Sequence, residues 1–191
     1  MNEKKFDVKK LQKLNNPDRL RDIPPEYIWG RIGILNPDVL VDIGAGTGFF
    51  SVPFLKLSKG ETLYACDISD TMIEWMEEHI CPQNPGIKPL KIEENRVPLD
   101  DETAVLVFMI NLHHELDNPQ AILLESYRIL KNGGKIFIVD WKKEEMDEGP
   151  PEHIRWQPEQ VKEQMAAANF QNVQLFNDLA KHFLLVGEKS V

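Results

Sequence analysis

Val39-Leu40-Val41-Asp42-Ile43-Gly44-Ala45-Gly46-Thr47-Gly48 decides how this chain is read. Five residues of strand-type apolar character run into three glycines spaced G-x-G-x-G, and a helical pattern is predicted over 47–57. Glycines at such a junction let the backbone turn sharply and approach a ligand where a side chain would collide. The helix that follows offers unpaired N–H groups suited to a carboxylate or phosphate.

Outward from this turn, strands and helices alternate. The patterning predicts a strand over 62–67 and a helix over 69–80, with Met72, Ile73, Met76 and Ile80 on one face and Ser69 as its cap. Further strands are expected at 88–92, at 104–110 (AVLVFMI) and at 135–140 (KIFIVD). Asn118-Pro119 opens a helix that runs to Leu130 and stops at Asn132-Gly133-Gly134. After a loop of about seventeen residues come a helix from Pro158 to near Asn169 and strands near 172–176 and 182–187. Near-continuous apolar strands in strand–helix–strand units predict an α/β fold: a doubly wound, mostly parallel sheet with helices on both faces. Ligands of such sheets sit beyond the carboxyl ends of the strands, where the strand order reverses. Residues 1–30 read as short helices broken at Asn15-Asn16-Pro17 and Pro24-Pro25, a cap segment preceding a domain over 31–191.

Asp67 follows Gly48 by nineteen residues, at the end of the second strand. A carboxylate there can accept hydrogen bonds from both hydroxyls of a ribose. The dinucleotide fingerprint G-x-G-x-x-G would need a third glycine at position 49, which is Phe49. A nicotinamide-dependent oxidoreductase is therefore the weaker of two nucleoside-binding readings.

The G-x-G-x-G spacing with an acid two residues before it resembles motif I of the class I S-adenosylmethionine-dependent methyltransferases. The resemblance runs from about Phe6 to Gly187. It includes Asp67-Ile68-Ser69-Asp70-Thr71-Met72, Ile92 to Leu99, Asn111-Leu112-His113-His114-Glu115-Leu116 and Leu130 to Lys135, and is nearest the quinone-biosynthesis and small-molecule subgroups. It implies a Rossmann-like seven-stranded sheet with an antiparallel last strand, and S-adenosylmethionine as cofactor. Carried onto this chain, it implies cofactor contacts at Asp42, Gly44, Ala45, Gly46, Gly48, Asp67, Ile68, Met72 and Asn111. Glu93, by register with Pro98, or Glu94 in its place, would meet the adenine.

For the methyl acceptor the candidates lie at the same sheet edge. His114 can act as a base near neutral pH, while His113 is expected to pack beneath the cofactor. Asp140 can orient an acceptor, and Trp141 supplies a flat wall or packs under the loop. Arg155 with His153 would welcome an anionic acceptor or stand as two surface groups, and Tyr27 is the useful residue of the cap. His114 and Asp140 are the predicted catalytic residues, each on its own account; Tyr27, His114, Trp141, His153 and Arg155 are the predicted acceptor contacts. A protein that binds the cofactor without chemistry shares all the cofactor motifs.

Composition narrows the partners. With 31 acidic against 22 basic residues the net charge is −9, which disfavours a nucleic-acid substrate. Lys4, Lys5, Lys9, Lys10 and Lys13 read as a solvated helix face or as a basic arm. The start MNEKKFDVKK is charged where an export signal is apolar, and no apolar run is long enough to span a bilayer, so a cytoplasmic protein free of membrane is expected. Cys66 and Cys81 lack metal-type spacing, and no metal is predicted. On size alone the expectation is a monomer or homodimer, and the resemblance implies a small-molecule acceptor.

Overall fold

The computed structural model describes residues 8–34 and 37–190. The lysines at 4 and 5, and the side chains of Lys9 and Lys10, lie outside what it describes. Three short helices lead the chain: α1 (Val8–Leu14), α2 (Arg19–Asp22) and α3 (Pro25–Ile32). The breaks fall at the predicted prolines, and Pro25 occupies the first turn of α3, where its missing N–H costs nothing. Gly33 ends α3 in the left-handed conformation, so the predicted boundary at residue 30 falls inside this helix.

The sheet holds β1 (Val39–Ile43), β2 (Thr62–Asp67), β3 (Ile87–Lys91), β4 (Ala104–Ile110), β5 (Leu130–Trp141), β6 (Gln171–Phe176) and β7 (His182–Glu188) in the order β3-β2-β1-β4-β5-β7-β6. Pairings among the first five strands are parallel; β7 runs antiparallel to both β5 and β6. The strand order reverses between β1 and β4, so the ends of β1, β2, β4 and β5 open onto one edge.

Two apolar layers sandwich the sheet. Leu40, Phe108, Phe137 and Leu184 pack against α3, α4 (Ser51–Ser58) and α5 (Asp70–His79). Val41, Val107, Ile138 and Leu185 face α6 (Pro119–Ile129) and α7 (Pro158–Ala167). The central strands are buried on both faces, which is why they read as continuous apolar runs rather than alternating ones.

Three local expectations are corrected. The helix expected from 47 begins at Ser51, because Gly46 and Gly48 take positive φ of 56° and 74° and the Gly48 N–H closes a turn on the Ala45 carbonyl. Ser69 sits at the start of α5 without a side-chain cap; its N–H instead donates to Asp67 Oδ1 at 2.9 Å. The strand expected over 135–140 extends back to Leu130. Gly133 and Gly134 pair with the Lys189 backbone at the end of β7, and the ladder with β4 jumps register between Ala104 and Leu106. Asn118 caps α6 as expected, its side chain accepting from the Ala121 N–H at 3.1 Å.

Candidate active site

Glycine turn, β2 end and β4 end meet at the edge where the strand order reverses. The N–H groups of Gly44 and Ala45 both donate to the Cys66 carbonyl at 2.9 Å, stitching the turn to β2. A Cβ on Gly44 would come within 2.7 Å of the Leu112 side chain, at a φ of 75° that other residues rarely adopt. The Gly46 N–H donates to Asp67 Oδ2 at 2.8 Å. Asp67 thus has one oxygen on the turn and the other on the Ser69 N–H, which fixes its plane at the mouth of the site.

Asp42 is buried below the turn and accepts from the Ser51 hydroxyl at 2.6 Å. Burial, with the nearby charge of Asp67, pushes its carboxyl up to about 7, against the pull of Ser51 and the Arg19 guanidinium. Ile68 beside Asp67 is 61% exposed, a large apolar side chain presented to solvent, whereas Met72 one turn along α5 is buried. Glu93 and Glu94 are exposed in the segment after β3, where Glu93 bridges to Arg96 through the backbone. Asn111, just beyond β4, holds a φ of 56°, and its Oδ1 is buried without a hydrogen-bond partner. An orphaned buried acceptor is costly, roughly 1–3 kcal/mol, and marks a place where a donor belongs.

His113 and His114 have different surroundings. His113 is fully buried, donates from Nε2 to Gln164 Oε1 at 2.7 Å and lies edge-on to Trp156; burial lowers its pKa. His114 donates from Nδ1 to Asp140 Oδ1 at 2.7 Å, and its backbone N–H donates to Asp140 Oδ2 at 2.9 Å. Asp140 also accepts from the Trp141 N–H at 2.7 Å. The carboxylate therefore grips His114 at two points, fixes the tautomer and leaves Nε2 as the basic nitrogen. Asp140 acts on the histidine, a partner the sequence did not assign to it.

The expected acceptor contacts divide. Trp141 lies 4.3 Å from the His182 ring and underpins the loop at Gly149, where a Cβ would stand 2.8 Å from the indole. Arg155 is buried, and its guanidinium donates to the carbonyls of Pro150, Lys142, Glu144 and Glu148. The expectation that it stands exposed beside His153 is corrected: with its donors on four loop carbonyls, it organises residues 142–155 from inside. His153 is exposed. Tyr27 donates to Asp178 at 2.6 Å in the turn between β6 and β7, with Arg31 stacked on its ring. Lys181 ties three segments over this edge, pairing with Asp22 of α2 at 2.7 Å and with Glu148 of the loop at 2.6 Å.

Sequence reasoning missed Arg19, Ser51, Gln164 and His182. Only Ser51 had a local signal, a hydroxyl in the first turn after the glycines. A cleft of about 500 Å³ lined by Asp101, Tyr127, Arg128 and Lys189 lies at the opposite end of the sheet and holds none of the predicted residues. No group of three or more metal-type ligands occurs among the described residues, and no described helix is long and apolar enough to cross a membrane.

Comparison with known proteins bears on the family and the fold. Residues 41–138, just over half of the chain, match the methyltransferase domain family model. A solved S-adenosylmethionine-dependent methyltransferase from Aquifex aeolicus superposes with a TM-score of 0.87 at 32% identity, covering 96% of this chain and 98% of that one. A ubiquinone/menaquinone biosynthesis C-methyltransferase of Marinomonas is 28% identical over 120 residues, 60% of this chain and 47% of that protein. A malonyl-[acyl-carrier protein] O-methyltransferase of Methylococcus capsulatus is 27% identical over 100 residues, 52% of this chain and 36% of that protein. The chain thus spans half or less of these two curated relatives. It belongs to the methyltransferase domain family, of the class that uses S-adenosylmethionine. Membership of that class displaces the nicotinamide reading.

Proposed function

We propose that the protein transfers a methyl group from S-adenosylmethionine to a small-molecule acceptor, at oxygen, carbon or nitrogen, with His114 as the base. The observation that carries this is the His114–Asp140 pair at the edge beside the glycine turn. An imidazole locked by a carboxylate at Nδ1 has one job left for Nε2, which is to take a proton.

The residues present fit the cofactor. Asp67 offers a carboxylate to the ribose hydroxyls, Ile68 an exposed apolar face, and Glu93 or Glu94 an acceptor for the adenine amine. The orphaned Oδ1 of Asn111 accepts a donor from the ligand. Asp42, Gly44, Ala45, Gly46 and Gly48 shape the turn, and Met72 is buried one turn along α5. When bound, the cofactor supplies an activated methyl on a sulfonium, so the protein's work is to align, exclude water and handle the acceptor's proton. Residues 11–30, joined to the body through Asp22–Lys181 and Tyr27–Asp178, serve as the cap over this edge. Tyr27, Trp141 and His153 bound the acceptor side; Arg155 holds the loop that completes it. The names of the relatives, one a C- and one an O-methyltransferase, support a low-molecular-weight acceptor group.

The test has two stages. Calorimetric titration should show S-adenosylmethionine and S-adenosylhomocysteine binding and nicotinamide nucleotides not. With a turned-over acceptor from a panel of phenols, enols and amines, His114→Gln should keep cofactor affinity and lower kcat by ~100-fold or more, the usual size of a general-base contribution. Full activity in this variant, or no methyl transfer to any acceptor, would refute the catalytic reading.

A further inference from the structure

Residues 14–19 are folded onto the glycine turn. The Thr47 hydroxyl donates to Asn15 Oδ1 at 3.0 Å, and Leu14 Cδ1 lies 3.9 Å from where a Cβ on Gly46 would stand. Arg19 sits at the centre of this contact. Its guanidinium carbon lies 4.8 Å from the Phe50 ring centroid and 5.4 Å from that of Phe49, the two residues that carry the turn into α4. One donor, on Nη1, goes to the Leu14 carbonyl. Among the described residues Arg19 has no carboxylate within ion-pair distance.

A guanidinium stacked on two aromatic rings is held rigid and its water partly stripped, a state that favours an anionic partner. The acid whose field it feels, Asp42, lies below the turn, bonded to Ser51 and pushed up to about 7. Burial has lowered Arg19 itself to about 10, as expected of a cation short of counter-charge. Asp67 reaches the same turn from the other side, through the Gly46 N–H. A ligand anchored by its ribose at Asp67 and lying along residues 44–48 thus has Arg19 beside the turn that carries it.

We propose that Arg19 is the carboxylate subsite of the cofactor, pairing its planar fork with the α-carboxylate at the amino-acid end of the adenosyl ligand. This rests on the cofactor reading above. A planar guanidinium offers a carboxylate two parallel hydrogen bonds, which an ammonium cannot.

The probes are S-adenosylhomocysteine, which carries the amino-acid end, and 5′-methylthioadenosine, which lacks it. Both are titrated calorimetrically into the full chain and into Arg19→Met. The variant should bind S-adenosylhomocysteine at least ~10-fold more weakly and 5′-methylthioadenosine unchanged, the loss expected for charge-assisted hydrogen bonds. Retained 5′-methylthioadenosine binding also shows that the variant is folded. Should Arg19→Met fail to fold, Arg19→Lys takes its place, with a selective loss on S-adenosylhomocysteine again expected. Equal losses on both ligands, or none on either, would overturn the subsite while leaving the cofactor reading intact. A wild-type chain that binds neither ligand would overturn both.

Discussion

His182 should reveal itself as a pH-dependent liability of the fold. It opens β7, is 2% exposed, and neither ring nitrogen has a hydrogen-bond partner. Burial lowers its pKa from 6.5 to about 4. Asp140 and Asp22 pull the other way, and Lys181 and Arg19 add to the lowering. A histidine that stays neutral when folded and protonates freely when unfolded contributes stability that is full above the unfolded pKa. That stability falls away as pH drops towards the folded value. Between 6.5 and about 4 the span is about 2.5 pH units, or roughly 3 kcal/mol at 1.36 kcal/mol each. At about pH 4.5 the loss should be near 2.5 kcal/mol. His182→Phe keeps a flat ring beside Trp141, removes both orphaned nitrogens and abolishes the titration. Urea unfolding of both chains between about pH 7.5 and about pH 4.5 isolates the effect in their difference, because His113 and the carboxylates titrate in both. The variant should match or exceed the wild type near neutrality and gain on it steadily below pH 6.5. Parallel stability curves across that range would refute the reasoning.

Two further substitutions test the site's frame. Asp67→Ala removes the acceptor for the Gly46 and Ser69 N–H groups and should weaken S-adenosylhomocysteine binding at least ~10-fold, read by calorimetry. Unchanged affinity in a folded variant would dismiss Asp67 as the ribose contact. Arg155→Met should leave cofactor affinity near wild type, lower stability by roughly 2 kcal/mol and open residues 142–155 to limited proteolysis. A protease-resistant loop in that variant would mean other contacts hold it.

Most of the framework was readable because it is local. Apolar runs bounded by glycine and proline located all seven strands, and the proline breaks located α1 to α3. The errors sit where a distant element intervenes. β5 begins five residues early because the Lys189 backbone, at the far end of the chain, pairs with Gly133 and Gly134. Helix α4 begins late because the glycine turn is bonded to β2 and cannot coil.

The sequence by itself determined the strand–turn–helix at Asp42 to Gly48, the acid at Asp67 and the class of ligand they suit. Spacing along one strand–turn–helix–strand unit suffices for that. The tertiary structure alone decided what the polar side chains do with one another. Asp140 meets His114 across 26 positions and Tyr27 meets Asp178 across 151. Arg155, expected at the surface, turns inward because loop carbonyls need donors, while Arg19, unremarked in the sequence, comes to rest on the glycine turn. A side chain's chemistry is legible one residue at a time, but its partner is set by chain closure over long separations, which no local pattern encodes.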